Sequence, residues 1–241
     1  MKLLESIARR VRGESSHAGG SHAADRVASG YAEVWSPGDE SEAMGLIFNE
    51  TDPERFEESG RHDADEVLGK YIRPSDTVLD LGCGIGRVTR YVAPRCREVW
   101  AVDISPHMLE LARRRLAGIP NVRFALCDGI SLAEPPEKSV DVAYSLLTLQ
   151  HVEREHAFAL MREVHRVLKP GGLAYFTFPN LLSDEYLGAF LQYVESGESH
   201  NPARARFYTP EEVRRLVPAA GFSISDFVAD VEIRVTCLAI G

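Results

Sequence analysis

The stretch Val78-Leu79-Asp80-Leu81-Gly82-Cys83-Gly84-Ile85-Gly86 constrains this chain more than any other. An apolar run ends at an acidic residue, crosses three alternate glycines and opens into Arg87-Val88-Thr89-Arg90-Tyr91-Val92. The pattern reads as strand, tight loop and helix. Alternate glycines permit unusual backbone angles and remove the Cβ atoms that would hold a ligand away. A helix behind such a loop turns its unpaired N–H groups toward whatever lies there. The expectation is a nucleotide-like ligand lying against the main chain.

Downstream, strands and helices alternate. Strands are expected over 77–81, 98–102, 121–126, 140–147 and 173–178, with helices over 87–93 and 155–168 between them. Ser105-Pro106 supplies an N-cap and a proline at the first helical position for a further helix closed by Gly118. Lys169-Pro170-Gly171-Gly172 is expected to end the helix before it. Thr209-Pro210-Glu211-Glu212 has the spacing of a capping box. Two closing strands, 223–229 and 232–240, have little between them. Alternation with right-handed crossovers makes a parallel sheet. The expected fold is therefore a doubly wound, mostly parallel seven-stranded α/β sheet of Rossmann-like type with an antiparallel edge hairpin.

Outside that block, apolar residues at helical spacing mark a helix over 54–71, ended by Pro74. Residues 1–30 are read as a flexible N-terminal segment and 31–74 as an N-terminal helical cap. Tyr31, Trp35, Met44, Leu46, Ile47 and Phe48 either pack on the main domain or cap its cleft, packing being preferred. A long connection over 179–207, with a short helix at 186–194, is a candidate substrate or lid insertion.

Bulk properties exclude several classes. A formal charge of -9 on 241 residues disfavours a broad nucleic-acid footprint. Cys83, Cys96, Cys127 and Cys237 form no C-x-x-C pair and read as free thiols of a reducing compartment. No apolar run approaches the ~20 residues that span a bilayer. Met1 to Arg12 is basic and mildly amphipathic, without a signal-peptide core, and reads as a short surface helix. A cytoplasmic protein, monomeric or homodimeric, is expected.

In doubly wound sheets the ligand lies beyond the carboxyl ends of the strands. Those ends carry the glycine loop, Asp103, Asp128 and the run 146–151. Asp103 can accept hydrogen bonds from two ribose hydroxyls. Asp128 can accept from an exocyclic adenine amine or simply serve a turn. A dinucleotide fingerprint needs glycine at its sixth position, and that position is Arg87.

With the motifs VLDLGCGIGR, AVDISPHML, CDG, LLTLQHV and LKPGG, the chain resembles the class I S-adenosylmethionine-dependent methyltransferases, small-molecule type. The resemblance covers about residues 75–178 and is consistent through 240, making 75–241 the cofactor-binding domain. It implies S-adenosyl-L-methionine as cofactor, with Gly82, Cys83 and Gly84 near the methionine moiety and Asp80 organising the loop. It places Asp103 on the ribose, Ile104 and Met108 beside the adenine, Asp128 and Gly129 at the adenine amine, and Leu146 at the methionine amino group. Arg61 matches a segment that reaches the cofactor carboxylate, or else forms a surface ion pair.

Methyl transfer from a sulfonium is an in-line displacement needing positioning and a dry site, and no metal is expected. His151, just past the fourth strand, is the candidate base for a hydroxyl or amine acceptor of a secondary metabolite or sugar. His156 and His165 are read as structural. The family's nucleic-acid adenine methylators carry Asn/Asp-Pro-Pro-aromatic at the place occupied here by Leu146-Leu147-Thr148-Leu149-Gln150-His151. A small-molecule acceptor is therefore expected, with neither nucleic acid nor membrane as partner. The competing readings are an NAD(P)-dependent oxidoreductase and a non-catalytic cofactor binder.

Overall fold

The computed structural model describes residues 30–48, 50–197 and 203–241. The expectations for the basic N-terminus and most of the segment 1–30 lie outside the described residues. Seven strands form one sheet in the order β3-β2-β1-β4-β5-β7-β6. They are β1 (Thr77–Leu81), β2 (Glu98–Asp103), β3 (Val122–Leu126), β4 (Val140–Ser145), β5 (Leu168–Pro179), β6 (Phe222–Ala229) and β7 (Glu232–Ala239). The first five strands run parallel, whereas β7 is antiparallel to both β5 and β6. The expected sheet and its edge hairpin are both present.

β1 is buried at every position, as a central strand covered on both faces must be. Leu79, Leu81, Val102 and Phe176 join the larger core, while Val78, Val99 and Tyr144 pack on the opposite face. Burying each such side chain contributes about 1.5–3 kcal/mol.

The helices are α1 (Glu40–Phe48), α2 (Pro53–His62), α3 (Thr89–Val92), α4 (Pro106–Arg115), α5 (Arg154–Val167), α6 (Asp184–Ser196) and α7 (Pro210–Ala219). Ser105 caps α4 by accepting from the Met108 amide at 3.1 Å. The capping box of Thr209 and Glu212 on α7 is complete.

Three expectations change. The helix expected over 87–93 shrinks to the single turn α3, which tightens into a 3-10 turn at Ala93–Arg95 around Pro94. So short a helix supplies little dipole, and the loop amides must do the ligand-facing work. The helix expected over 54–71 is α2 followed by a π-helical turn, Asp63–Leu68. There the Arg95 guanidinium takes the Ala64 carbonyl at 3.1 Å. The Lys169–Gly172 segment does follow the end of α5 at Val167, but it belongs to the start of β5. Its start pairs Val140 with Leu168, and a register shift absorbs the extra residues before Val142 meets Leu173.

Candidate functional site

At the carboxyl ends of β1, β2 and β4 lies a cavity with about 930 Å³ of empty space, its open mouth included. The loop after β1 forms its floor. Gly82 and Gly84 adopt φ of 81° and 53°, which a side chain would strain. A Cβ on Gly82 would overlap the Thr148 side chain, and one on Gly84 would come within 2.6 Å of Ile47 Cδ1. Both glycines permit close approach, one to the β4 end and one to α1.

Two buried carboxylates organise this floor. Asp80 Oδ2 accepts from Thr89 Oγ1 at 2.6 Å and from Tyr144 OH at 2.7 Å, tying loop, α3 and β4 together. Burial raises its pKa to about 6, although its two hydrogen bonds and the Arg87 charge pull the other way. Asp103 Oδ2 accepts from the Gly84 amide at 2.8 Å, and its Oδ1 accepts from the Ser105 amide at 2.9 Å. Burial, the largest influence, raises its pKa as well. Cys83, Ile104, Met108, Gly129 and Leu146 line the same cavity, alongside Asp80, Gly82, Gly84, Asp103 and His151.

Two expected residues stand elsewhere. Asp128 is absent from the lining, and its carboxylate accepts from the Ile130 and Ser131 amides at 2.9 and 2.6 Å. A third bond, from Ser131 Oγ at 2.7 Å, holds it in the turn. Of the two uses open to Asp128, this geometry is the turn. Arg61 is exposed and lies 5.4 Å over the Tyr91 ring, outside the cavity.

The arginine that does line the cavity is Arg87, only 4% exposed. Its Nη1 pairs with Asp63 at 2.7 Å and donates to Ser59 at 3.1 Å. Phe48 covers its guanidinium at 4.8 Å. Its Nε and Nη2 donors find no partner among the described residues. Sequence reasoning treated Arg87 only as an obstacle to pyrophosphate. The signal it missed was Ser59 and Asp63, a turn apart on the preceding helix.

The opposite wall comes from afar. Leu147, just past β4, sits at φ 57°, unusual for a bulky residue, and its amide donates to Thr177 at 3.1 Å. Thr148 Oγ1 donates to the Leu146 carbonyl at 3.0 Å. Tyr31 and Trp35 line the cavity, so the segment preferred as simple packing also caps the cleft. Tyr31 OH accepts from the Glu153 amide at 2.9 Å and lies 2.9 Å from His156 Nδ1.

His151 meets Trp35 edge to face at 4.7 Å. Its Nδ1 is 3.0 Å from the Ala203 carbonyl, which can only accept, so Nδ1 carries the proton. Nε2 is then the acceptor, 3.1 Å from the Gln150 amide nitrogen. Burial is the largest influence on this imidazole and lowers its pKa to about 4. The ring is neutral at physiological pH. Arg206 donates to the His151 carbonyl at 3.0 Å and pairs with Glu153 at 2.7 Å, fastening the 203–207 connection to this wall.

Comparison with known proteins agrees with this geometry. Residues 78–172 match the family described as a methyltransferase domain. The demethylmenaquinone methyltransferase of Tropheryma whipplei (strain Twist) is 34% identical over 137 residues, covering 56% of this chain and 55% of that protein. The trans-aconitate 2-methyltransferase of Methylobacterium radiotolerans is 36% identical over 133 residues, covering 54% and 48%. The chain thus spans about half the length of these relatives. A crystal structure of a SAM-dependent methyltransferase from Aquifex aeolicus has the same fold, with a TM-score of 0.62 at 19% identity, covering 85% of this chain and 100% of that one. Residues 78–172 thus match a methyltransferase domain, and the strand order and glycine loop share the fold of the Aquifex aeolicus structure. Among the described residues no helix is long and apolar enough to cross a membrane.

Proposed function

We propose that this chain transfers the methyl group of S-adenosylmethionine to a hydroxyl or amine of a small molecule, a secondary metabolite or sugar. The observation that carries the reading is the arrangement of Asp103, the bare glycine loop and Arg87 around one cavity. An adenosine with an amino-acid tail needs a ribose acceptor, close backbone approach and a cation for a carboxylate. Asp103 meets the first need, the cavity-lining backbone of Gly82 and Gly84 the second, and the unpaired donors of Arg87 the third. Arg87 takes the role that the family resemblance had given to Arg61. The relatives' names, with demethylmenaquinone and trans-aconitate in them, support a small acceptor.

The sulfonium supplies an activated methyl group when bound. This chain's residues then bind, orient and exclude water. Tyr31, Trp35 and Ile47 line the cavity and help to exclude water from it. His151 presents a neutral Nε2 that takes the hydrogen bond of the acceptor's hydroxyl or amine once Gln150 yields. With a pKa of about 4 it orients the acceptor and takes its proton only as the methyl bond forms. The acid limb of turnover should then lie near pH 4, well below the ordinary histidine range.

Calorimetry with S-adenosylmethionine, S-adenosylhomocysteine and NADH tests the cofactor reading, and binding of NADH alone would overturn it. Methyl-labelled cofactor with metabolite extracts tests turnover. His151→Ala should lower that turnover and leave cofactor affinity nearly intact, and an unchanged rate would remove His151 from the reaction.

A further inference from the structure

The helix α6 presents an anomaly. It has thirteen residues and buries none of them. Tyr186, Phe190 and Tyr193 face Phe207, with ring centroids 5.8 to 6.2 Å apart. The neighbouring stripe turns outward: Leu187 is 43%, Leu191 49% and Val194 61% exposed. These positions follow the i, i+4, i+7 spacing of a helix face made to be covered. Leu182, just before the helix, is 69% exposed and extends the patch. Asp184, Glu185 and Glu195 border it, and the helix carries no basic residue.

We propose that residues 1–12 of the same chain dock along this face of α6. That segment carries Leu3, Leu4, Ile7, Ala8 and Val11 at helical spacing, with Lys2, Arg9, Arg10 and Arg12 against the single acid Glu5. Its charge is opposite to that of α6, and its apolar stripe matches the uncovered one. The described chain begins on the wall to which the target is joined through a short relay of contacts. Tyr31 bonds to the Glu153 amide, Glu153 pairs with Arg206, and the next residue, Phe207, is the one α6 packs on. A glycine- and serine-rich tether of the length of residues 13–29 has a typical reach of about 23 Å. A thirteen-residue helix such as α6 is about 20 Å long, comparable to the reach of the tether. The same acidic border disfavours the other occupants. Two copies of α6 would set acid against acid, and an anionic lipid surface would be repelled.

The test places a benzoylphenylalanine photocrosslinker at Leu191 in the full chain and maps its products by mass spectrometry, using a mixture of light and isotopically heavy copies. Crosslinks to residues 1–12 within one copy are expected. Ile7→Asp should lower their yield at least about tenfold, because a charge then enters the apolar seam, while Ile7→Leu keeps it. Circular dichroism confirms that both variants fold. Crosslinks between light and heavy copies would overturn the proposal in favour of a dimer. Absence of crosslinks to residues 1–12, or their appearance only outside that segment, would also overturn it.

Discussion

The two walls of the cavity are held by different means. On the glycine-loop wall, each carboxylate is fixed by groups close in the chain or directly across the sheet. Asp103 is bound by the Gly84 and Ser105 amides, and Asp80 by Thr89 and its register partner Tyr144. On the opposite wall, His151 is held by Ala203 and Trp35, and Tyr31 by Glu153 and His156, all contacts between distant segments. Burial acts on both walls with opposite signs. It pushes Asp80 up to about 6 and His151 down to about 4, because in each case the charged form loses water. The loop wall is held by contacts local to the sheet, and the far wall by contacts that long-range packing alone brings together.

The largest effect should come from breaking the loop wall. Gly82→Ala drives a methyl group into Thr148 at a positive φ. It should cost about 2–5 kcal/mol of stability and abolish cofactor binding, read by thermal melting and calorimetry. Asp103→Ala should weaken S-adenosylhomocysteine binding by roughly 1–3 kcal/mol, as charge-assisted hydrogen bonds are lost. Unchanged affinity would remove Asp103 from the ribose. Arg87→Met should weaken S-adenosylhomocysteine by a similar amount, about 1–3 kcal/mol, yet spare 5′-methylthioadenosine, which lacks the carboxylate. Arg61→Ala, on the surface, should change neither. If Arg61→Ala weakens binding and Arg87→Met does not, the carboxylate belongs to Arg61 after all.

The smallest effect sharpens the electrostatic contrast. The depressed pKa of His151 contributes stability above its unfolded value of ~6.5, lost as pH falls toward about 4. The raised pKa of Asp80 does the reverse, adding stability as pH falls from about 6 toward ~3.8. A His151→Asn variant removes only the first contribution. Its melting temperature should therefore close on that of the native chain as pH drops from 6.5 to 4, by the equivalent of roughly 1–3 kcal/mol. A constant gap across that range would show that the imidazole is not buried as described.

The mostly parallel sheet with its edge hairpin, the glycine loop and the place of Asp103 at a strand end were legible in the chain because they rest on local patterns: apolar runs of strand length, alternate glycines and an acid at a strand end. Short-range chemistry also carried the two helix caps. The placements of Arg61, Arg87 and Asp128 were not legible, since each side chain had two chemically reasonable destinations. Only packing chose between them. Asp63 and Ser59 drew Arg87 inward, Tyr91 held Arg61 outside, and the Ile130 and Ser131 amides claimed Asp128. The far wall was least legible of all, because it joins residues over a hundred positions apart, such as Tyr31 with Glu153 and Trp35 with His151. Sequence periodicity reports which face of an element is buried, and only the tertiary structure decides what that face meets.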